Sequence, residues 1–425
     1  MWLASFLNCI CPSINQFIVP NWVSMKILWF FKNSYEVAKQ FNSEWESDFT
    51  SKSFPIGTTQ TIKFPQQWFV TDGLAYQEQG ISRLSTTVAL DRVKGVHFGR
   101  DSIEALLKME RSEKEIDEAY NIPAGQALAQ KVDTDAADFA RINTPNVVGT
   151  LGTDSTTINF ALKAEQTLFA YGCPEGDDKY LCLTPQLMVA YVNANVTQFN
   201  PQKAISDMYR KGVIGDAAGW KWVRSNSLQK QTAGTAPTHG VTIVGAGQSG
   251  ASLVVTGTNG DTIKSGDKLN IASVNALNLM TRTVNGLGLK QFSMNGPDFT
   301  LTGGNDTIPI YPAIYGPGSP YQNVDALPAN AAALTFWPGT TTPSGLSGQI
   351  SLGLSKYAFA KAFAKMEVPE AVEKTEHAED PETGASIAFV QAWDQYNRKM
   401  TNRWDICYGF GILRADYGSC AVAGS

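Results

Sequence analysis

Residues 56–90 carry the pattern of strands. Thr58, Gln60, Ile62 and Phe64 lead to Pro65, Trp68-Phe69-Val70 runs into Asp72-Gly73, and a second run returns over 84–90. Asp-Gly favours the tight turns that join antiparallel strands, so the stretch predicts a long hairpin with an exposed tip. The spacing then becomes helical. In 102–119, Ile103, Leu106, Leu107 and Ile116 stand amid charges. Pro123 opens a second helix, where a missing N–H is tolerated in the first turn. Leu128, Val132, Ala136 and Phe139 recur every three to four residues and form one apolar stripe. Lys131, Asp133, Asp135 and Asp138 occupy the opposite face, which reads as a solvated surface rather than a metal cluster. Further helices are predicted over 156–170 and 201–210.

From 235 to 339 the chain is rich in Gly, Thr, Asn, Val and Ala, with turn signals at Asn259-Gly260 and Gly266-Asp267. Short β-type runs at 241–244, 253–255 and 269–274 lie between them. This predicts an all-β insert with frequent turns, whose ends lie close together so that the host fold is spared. Its expected core is Val241, Ile243, Leu253, Val255, Leu269, Ile271, Val274 and Phe292. Beyond it, 354–366 reads as a helix, 380–384 as a loop, and 387–393 and 403–413 as strands. Mixed segments flanking an all-β module predict an α+β chain in which one domain interrupts another.

The 425 residues suggest about two or three domains. Lys and Arg number 34 against 39 Asp and Glu, a net charge of −5, which argues against wrapping nucleic acid through bulk charge. Charged residues make up only 17% of the chain, below the usual quarter or so, and hydrophobic residues 43%. Uncharged polar surface suits a protein that buries much of its exterior against copies of itself. The six cysteines (Cys9, Cys11, Cys173, Cys182, Cys407, Cys420) form no C-x-x-C pair, and His97, His239 and His377 lie far from them in sequence. Free thiols in a reducing compartment are expected, and no metal site. Residues 1–24 carry no charge, and the first basic residue is Lys26. A secretory signal needs a basic start, and Pro12, Pro20, Asn8 and Asn15 spoil a membrane span. The expectation is that the mature chain begins at or near Met25, the alternative being an arm that lies on a neighbouring subunit. Nothing else in the chain reads as a span.

One motif invites a chemical reading. Val241-Thr242-Ile243-Val244 precedes Gly245-Ala246-Gly247-Gln248-Ser249-Gly250, a literal G-x-G-x-x-G after a strand. Dinucleotide binding also needs a helix whose N-terminus faces the pyrophosphate. Here the β-branched run 251–256 follows and stops at Gly257, so a glycine-rich β-turn is expected, with Asp267 unconnected to it. His97 is expected at a strand end, and His239 and His377 in loops. Glu44/Glu46 and Asp177/Asp178 read as solvated pairs. The residues nominate no catalytic, cofactor-binding or metal-binding group, and the chain does not read as an enzyme.

The run from Ile56-Gly57-Thr58 to Asp72-Gly73, then Leu90-Asp91-Arg92-Val93-Lys94-Gly95-Val96-His97-Phe98, is similar to the extended loop and return strand of phage major capsid proteins. Pro123-Ala124 through Val132-Asp133 resembles their spine helix. Gly240-Val241, Gly266-Asp267-Lys268-Leu269, Val274-Asn275-Ala276, Gln291-Phe292, Tyr321-Gln322-Asn323-Val324 and Pro328-Ala329 resemble the inserted domain of the P22-type coat proteins. Lys356, Phe359-Ala360, Val368-Pro369, Gly384, Ser386-Ile387 and Arg403-Trp404-Asp405-Ile406-Cys407-Tyr408-Gly409 resemble the C-terminal part. The set runs in order over about 56–413. Residues 1–24 have no counterpart, and Trp393 and Trp404 stand where different residues are expected.

The resemblance implies an HK97-type capsid fold with an inserted β-barrel. It divides the chain into an N-terminal arm (1–50), extended loop (51–95), peripheral domain with spine helix (96–150), first axial part (151–228), inserted barrel (229–340) and C-terminal axial and peripheral part (341–425). It further implies hexamers and pentamers in an icosahedral shell, a scaffolding protein, a portal protein at one vertex, double-stranded DNA enclosed without sequence-specific binding, and no membrane. The place of the protein would be the virion capsid, assembled in the bacterial host cytoplasm. Two alternatives are a β-rich phage tail or adhesin subunit, which would lack helices at 102–142 and 354–366, and a dinucleotide-binding enzyme built on 245–250.

Overall fold

A computed structural model describes residues 25, 27–29, 31, 34–43, 59–63, 68, 78, 85–101, 122–153, 157–174, 178–195, 216–279, 281–337, 344–366, 374–380, 384–397 and 399–422. The predicted helices at 102–119 and 201–210, and residues 1–24, lie outside the described residues. Helix α1 (Ile122–Asn143) buries Leu128, Val132 and Ala136 of the predicted stripe, with Phe139 partly buried against the core and Ala140 buried beside it. Helices α2 (Asn159–Ala170) and α3 (Pro185–Asn195) follow. Thr59–Lys63 pairs antiparallel with Ser85–Ala89, from Thr59 opposite Ala89 to Lys63 opposite Ser85, which is the base of the predicted hairpin.

Two sheets carry the rest of the body. A seven-stranded sheet runs Val147–Val148, Gly418–Val422, Ser347–Ser355, Lys179–Leu183, Trp220–Arg224 and Asp216–Ala217, with Lys230–Thr232 also paired to Ser347–Ser355. A five-stranded sheet centres on the long strand Lys399–Ile412. It pairs with Phe359–Ala364, Ser386–Asp394 and Arg92–Asp101, and Lys374–Glu379 completes the sheet beside Ser386–Asp394.

The insert is a closed barrel in the order Gly250–Thr256, Asp306–Ile314, Val284–Met294, Lys268–Leu277, Ala333–Phe336 and Val241–Ile243. Closure leaves no free strand edge. Val241, Ile243, Leu253, Val255, Leu269, Ile271, Val274 and Phe292, the expected core, are all at most 1% exposed. The strand leading in and the strand leading out lie side by side, Thr232 opposite Ser347 and Lys230 opposite Gln349.

The structure corrects the helix expected at 354–366. Ser347–Ser355 and Phe359–Ala364 are strands. Alanine favours helices, but here the run Phe-Ala-Lys-Ala-Phe-Ala is buried on both faces. Ala360, Ala362 and Ala364 pack under the hairpin, while Phe359 and Phe363 join the main core. Burial on two faces overrides helix propensity, and the alternation of small and large residues fits the pleat. His377 likewise lies in the strand Lys374–Glu379, opposite Ala388, and not in a loop. His97 sits within Arg92–Asp101, opposite Arg403, and not at a strand end. The predicted strands at 387–393 and 403–413 appear as Ser386–Asp394 and Lys399–Ile412. Between Lys374–Glu379 and Ser386–Asp394, the Gly384 N–H donates to the Asp380 carbonyl at 2.7 Å.

Candidate assembly site

The base of the hairpin is mounted on the five-stranded sheet through small residues. Ile62, Val88 and Leu90 pack on Ala360, Ala362, Ala364 and Cys407 in a cluster of their own. Gly409 and Gly411 let the backbones meet: a Cβ on Gly409 would overlap the Ala89 carbonyl oxygen, and one on Gly411 the Val88 side chain. Next to them the Tyr408 hydroxyl donates to Asp135 Oδ2 at 2.6 Å, which ties the same strand to α1. The Arg92 guanidinium lies 5.1 Å from the Phe410 ring centre and 6.0 Å from that of Phe139. Burial raises the Asp135 pKa. Hydrogen bonds from Lys131 and Tyr408 and the charges of Lys131 and Arg92 outweigh that and hold it below its ordinary value. Hairpin, sheet and helix thus form one support.

The carboxylates of α1 are not the solvated face that the sequence predicts. Asp133 is 2% exposed. Its Oδ1 accepts the backbone N–H groups of Glu36 (3.1 Å), Val37 (2.6 Å) and Ala38 (2.9 Å), and its Oδ2 the Ser225 hydroxyl at 3.2 Å. The N–H groups at the entry to the short helical turn Ala38–Gln40 are therefore satisfied from another element. Ile27, Phe31, Tyr35 and Val37 are buried in the main core, and Phe31 meets Phe363 edge-on at 6.1 Å. The segment they belong to covers the helix face that periodicity alone leaves open. Burial raises the Glu36 pKa, with Asp133 adding to the rise and Arg224 opposing it. Asp138 remains partly exposed and pairs with Arg141 at 2.5 Å.

The barrel meets the body through buried charge. Lys268 is fully buried, and its Nζ donates to the Arg141 carbonyl (2.6 Å) and the Ser293 hydroxyl (2.9 Å). The Ser293 hydroxyl in turn donates to the Ile142 carbonyl. The last carbonyls of a helix have no partner within it and carry partial negative charge, so a cation from the barrel caps α1. Lys290, 1% exposed, pairs with Asp416 at 2.8 Å and lies 4.1 Å from the Tyr171 ring centre. Burial lowers the Lys290 pKa, but Asp416 and Tyr171 outweigh it and raise it overall. Gln291 Oε1 accepts the Val147 N–H at 2.7 Å. Sequence reasoning missed these contacts, because lysine is ordinarily a surface residue and nothing local distinguishes Lys268 or Lys290.

Residues 245–250 form the turn between Val241–Ile243 and Gly250–Thr256, so a strand and not a helix follows the third glycine. Gly245 and Gly247 adopt φ of +87° and +75°. Their N–H groups already donate to Asn330 Oδ1 and the Pro328 carbonyl, both at 2.8 Å, and so are not turned to a phosphate. His239 Nδ1 lies 2.9 Å from Asp261 Oδ2, while His97 and His377 lie in separate strands. Cys173, Cys182 and Cys407 are buried free thiols. Asp178 pairs with Lys221, whereas Glu44, Glu46 and Asp177 lie outside the described residues. Among the described residues no group of three His, Cys, Asp or Glu side chains is placed to hold a metal, and no helix is long and apolar enough to cross a membrane. Trp404 is buried and stacks on Phe98 at 5.0 Å, while Trp393 remains 39% exposed.

The family profile described as "P22 coat protein - gene protein 5" matches residues 57–419. No curated protein matches the chain. Among solved structures, the chain is similar to one from Mycobacterium phage Che8, with 12% identity, 92% of each chain covered and a TM-score of 0.45. It is similar to the capsid of cyanophage P-SCSP1u, with 13% identity, 88% of this chain and 85% of that one covered, and a TM-score of 0.42. A virus-like particle from Pyrococcus furiosus shares 7% identity over 94% of this chain and 97% of that one, with a TM-score of 0.37.

Proposed function

The chain belongs to the P22 coat protein family and is a major capsid protein that forms the phage shell; from that premise we propose how it assembles and with what. The match to a coat protein family replaces the tail-subunit alternative and speaks against the dinucleotide-enzyme one. Copies join as hexamers and pentamers around a scaffolding protein, meet a portal protein at one vertex, and enclose double-stranded DNA without reading its sequence. Assembly takes place in the bacterial host cytoplasm. The proposed division is an N-terminal arm (1–50), extended loop (51–95), peripheral domain (96–150), first axial part (151–228), inserted barrel (229–340) and C-terminal part (341–425).

The observation that carries the reading is the family match over 57–419, joined to a hairpin base packed closely on the sheet. A reaching element transmits position only if its base does not flex, and the close approach of Gly409 to the Ala89 backbone supports that reading. Net charge of −5 suits a wall around DNA, because a basic lining would bind nucleic acid before packaging. Co-expression with the candidate scaffolding protein, then sedimentation and electron microscopy, tests the proposal. Closed shells of uniform size that need the scaffold support it; shells of the same size without any scaffold remove the scaffold from the account.

A further inference from the structure

Where the chain enters and leaves the barrel, a single carboxylate ties the parts together. Asp267 is fully buried. Its Oδ2 accepts the N–H groups of Gly234, on the incoming segment (3.0 Å), and Lys264, on the preceding turn (2.9 Å). Its Oδ1 accepts Nε2 of Gln231, on the incoming strand, at 2.9 Å. The Trp337 indole adjoins it from the outgoing side. Gln231 is also a link: its Oε1 accepts Nη1 of Arg141 in the last turn of α1. Arg141 crosses directly over Gly266, where a Cβ would stand 2.7 Å from Nη1. Carboxylate, amide and guanidinium thus form one chain from the neck of the barrel to the helix.

We infer that this chain is a proton-sensitive coupling, in which protonation of Asp267 turns the Gln231 amide over and takes its oxygen from Arg141, leaving the guanidinium on Asp138 and the Ser265 carbonyl and the barrel less firmly joined to the end of α1. Oδ2 already accepts two N–H groups, so the proton goes to Oδ1, the atom that faces Gln231. Two donors then confront each other, and rotating the amide presents its oxygen to the new O–H. The same rotation turns the amide NH2 toward the guanidinium, and donor again meets donor. No covalent bond changes; one proton is taken from solvent.

The charged groups around Asp267 leave it in control of this step. On its own side, the Lys264 ammonium turns to Asp298 at 2.7 Å and the Lys268 ammonium to the Arg141 carbonyl. From α1, Arg141 is held by Asp138. On the far side of the incoming turn, Asp261 faces His239. Burial lifts the Asp267 pKa to about 6 against the opposing effect of its donors, which places the change within reach of mild acid.

Hydrogen exchange of the full chain at about pH 5 and about pH 7.5, corrected for intrinsic rates, tests the coupling. The peptide ending α1 should exchange roughly tenfold faster at the lower pH, the effect of losing one charged hydrogen bond. The barrel strand Gly250–Thr256 should not change. Gln231→Leu, which removes the link while keeping the Asp267 carboxyl and its two backbone donors, should exchange fast at the end of α1 at both pH values. Asp267→Asn should do the same. No step in the wild-type chain, a step that persists in Gln231→Leu, or equal acceleration of Gly250–Thr256 overturns the coupling.

Discussion

The hairpin mount and the barrel seam solve the same problem, fixing a projecting element to the body, with opposite chemistry. At the mount, alanines and glycines let backbones touch, and the cluster of Ile62, Val88 and Leu90 is apolar. At the seam, the fully buried ammonium groups of Lys268 and Lys290 answer helix carbonyls and a carboxylate. Apolar close packing tolerates no added volume, whereas a buried charge tolerates no lost partner. The mount should therefore fail when something is added and the seam when something is removed.

Removing a charge at the seam gives the largest expected effect. Asp416→Ala leaves the Lys290 ammonium buried without its carboxylate and should cost about 3–5 kcal/mol, read by urea denaturation. Within the barrel, Phe292→Ala should cost a similar ~3–5 kcal/mol through the cavity it leaves. The barrel expressed alone as 229–340 is expected to melt cooperatively with dispersed amide resonances, and a random-coil spectrum would refute the proposed boundary. At the mount, Gly409→Ala should cost about 1–3 kcal/mol by overpacking and should impair assembly more than folding. If Gly409→Ala assembles normally, the mount is not the rigid base described.

The smallest effect separates the two regions by pH. Asp135, at the mount, has a pKa below its ordinary value, so its contribution is present above the unfolded pKa and is lost as pH falls through the folded one. Asp267, at the neck, has its pKa raised to about 6. The folded chain binds that proton more tightly than the unfolded chain, so ionised Asp267 lowers stability above pH 6, and acid relieves the cost. Tyr408→Phe should remove about 1–2 kcal/mol near neutrality and flatten the acid limb of the stability profile. Asp267→Asn should remove the relief that acid brings below about pH 6 and so steepen that limb. Denaturant midpoints across pH measure both.

These regions differ in the same way in how far the sequence reveals them. Alternation at Val241, Ile243, Leu253 and Val255 marks barrel strands because side-chain period and burial coincide there. The stripe on α1 is readable for the same reason. The strand Phe359–Ala364 hides behind its alanines, since both of its faces are covered by elements distant in sequence. Asp133 reads as solvent-facing because nothing near it in the chain announces that residues 36–38 will lie across it. Lys268 and Lys290 are illegible for a related reason: a buried ion is defined by its partner, and the partners are in α1 and the C-terminal strand region. The absence of a helix after Gly250 was legible, because only six residues, three of them β-branched, stand before Gly257 and leave no room for one.

Cryo-electron microscopy of particles from cells expressing the chain with the candidate scaffolding protein shows whether it builds a shell as proposed. Closed icosahedral shells are expected, in which the hairpin based on Thr59–Lys63 and Ser85–Ala89 reaches an adjacent subunit while Gly409 stays against Ala89. Fibres, or a chain that remains monomeric under every assembly condition, would contradict that proposal.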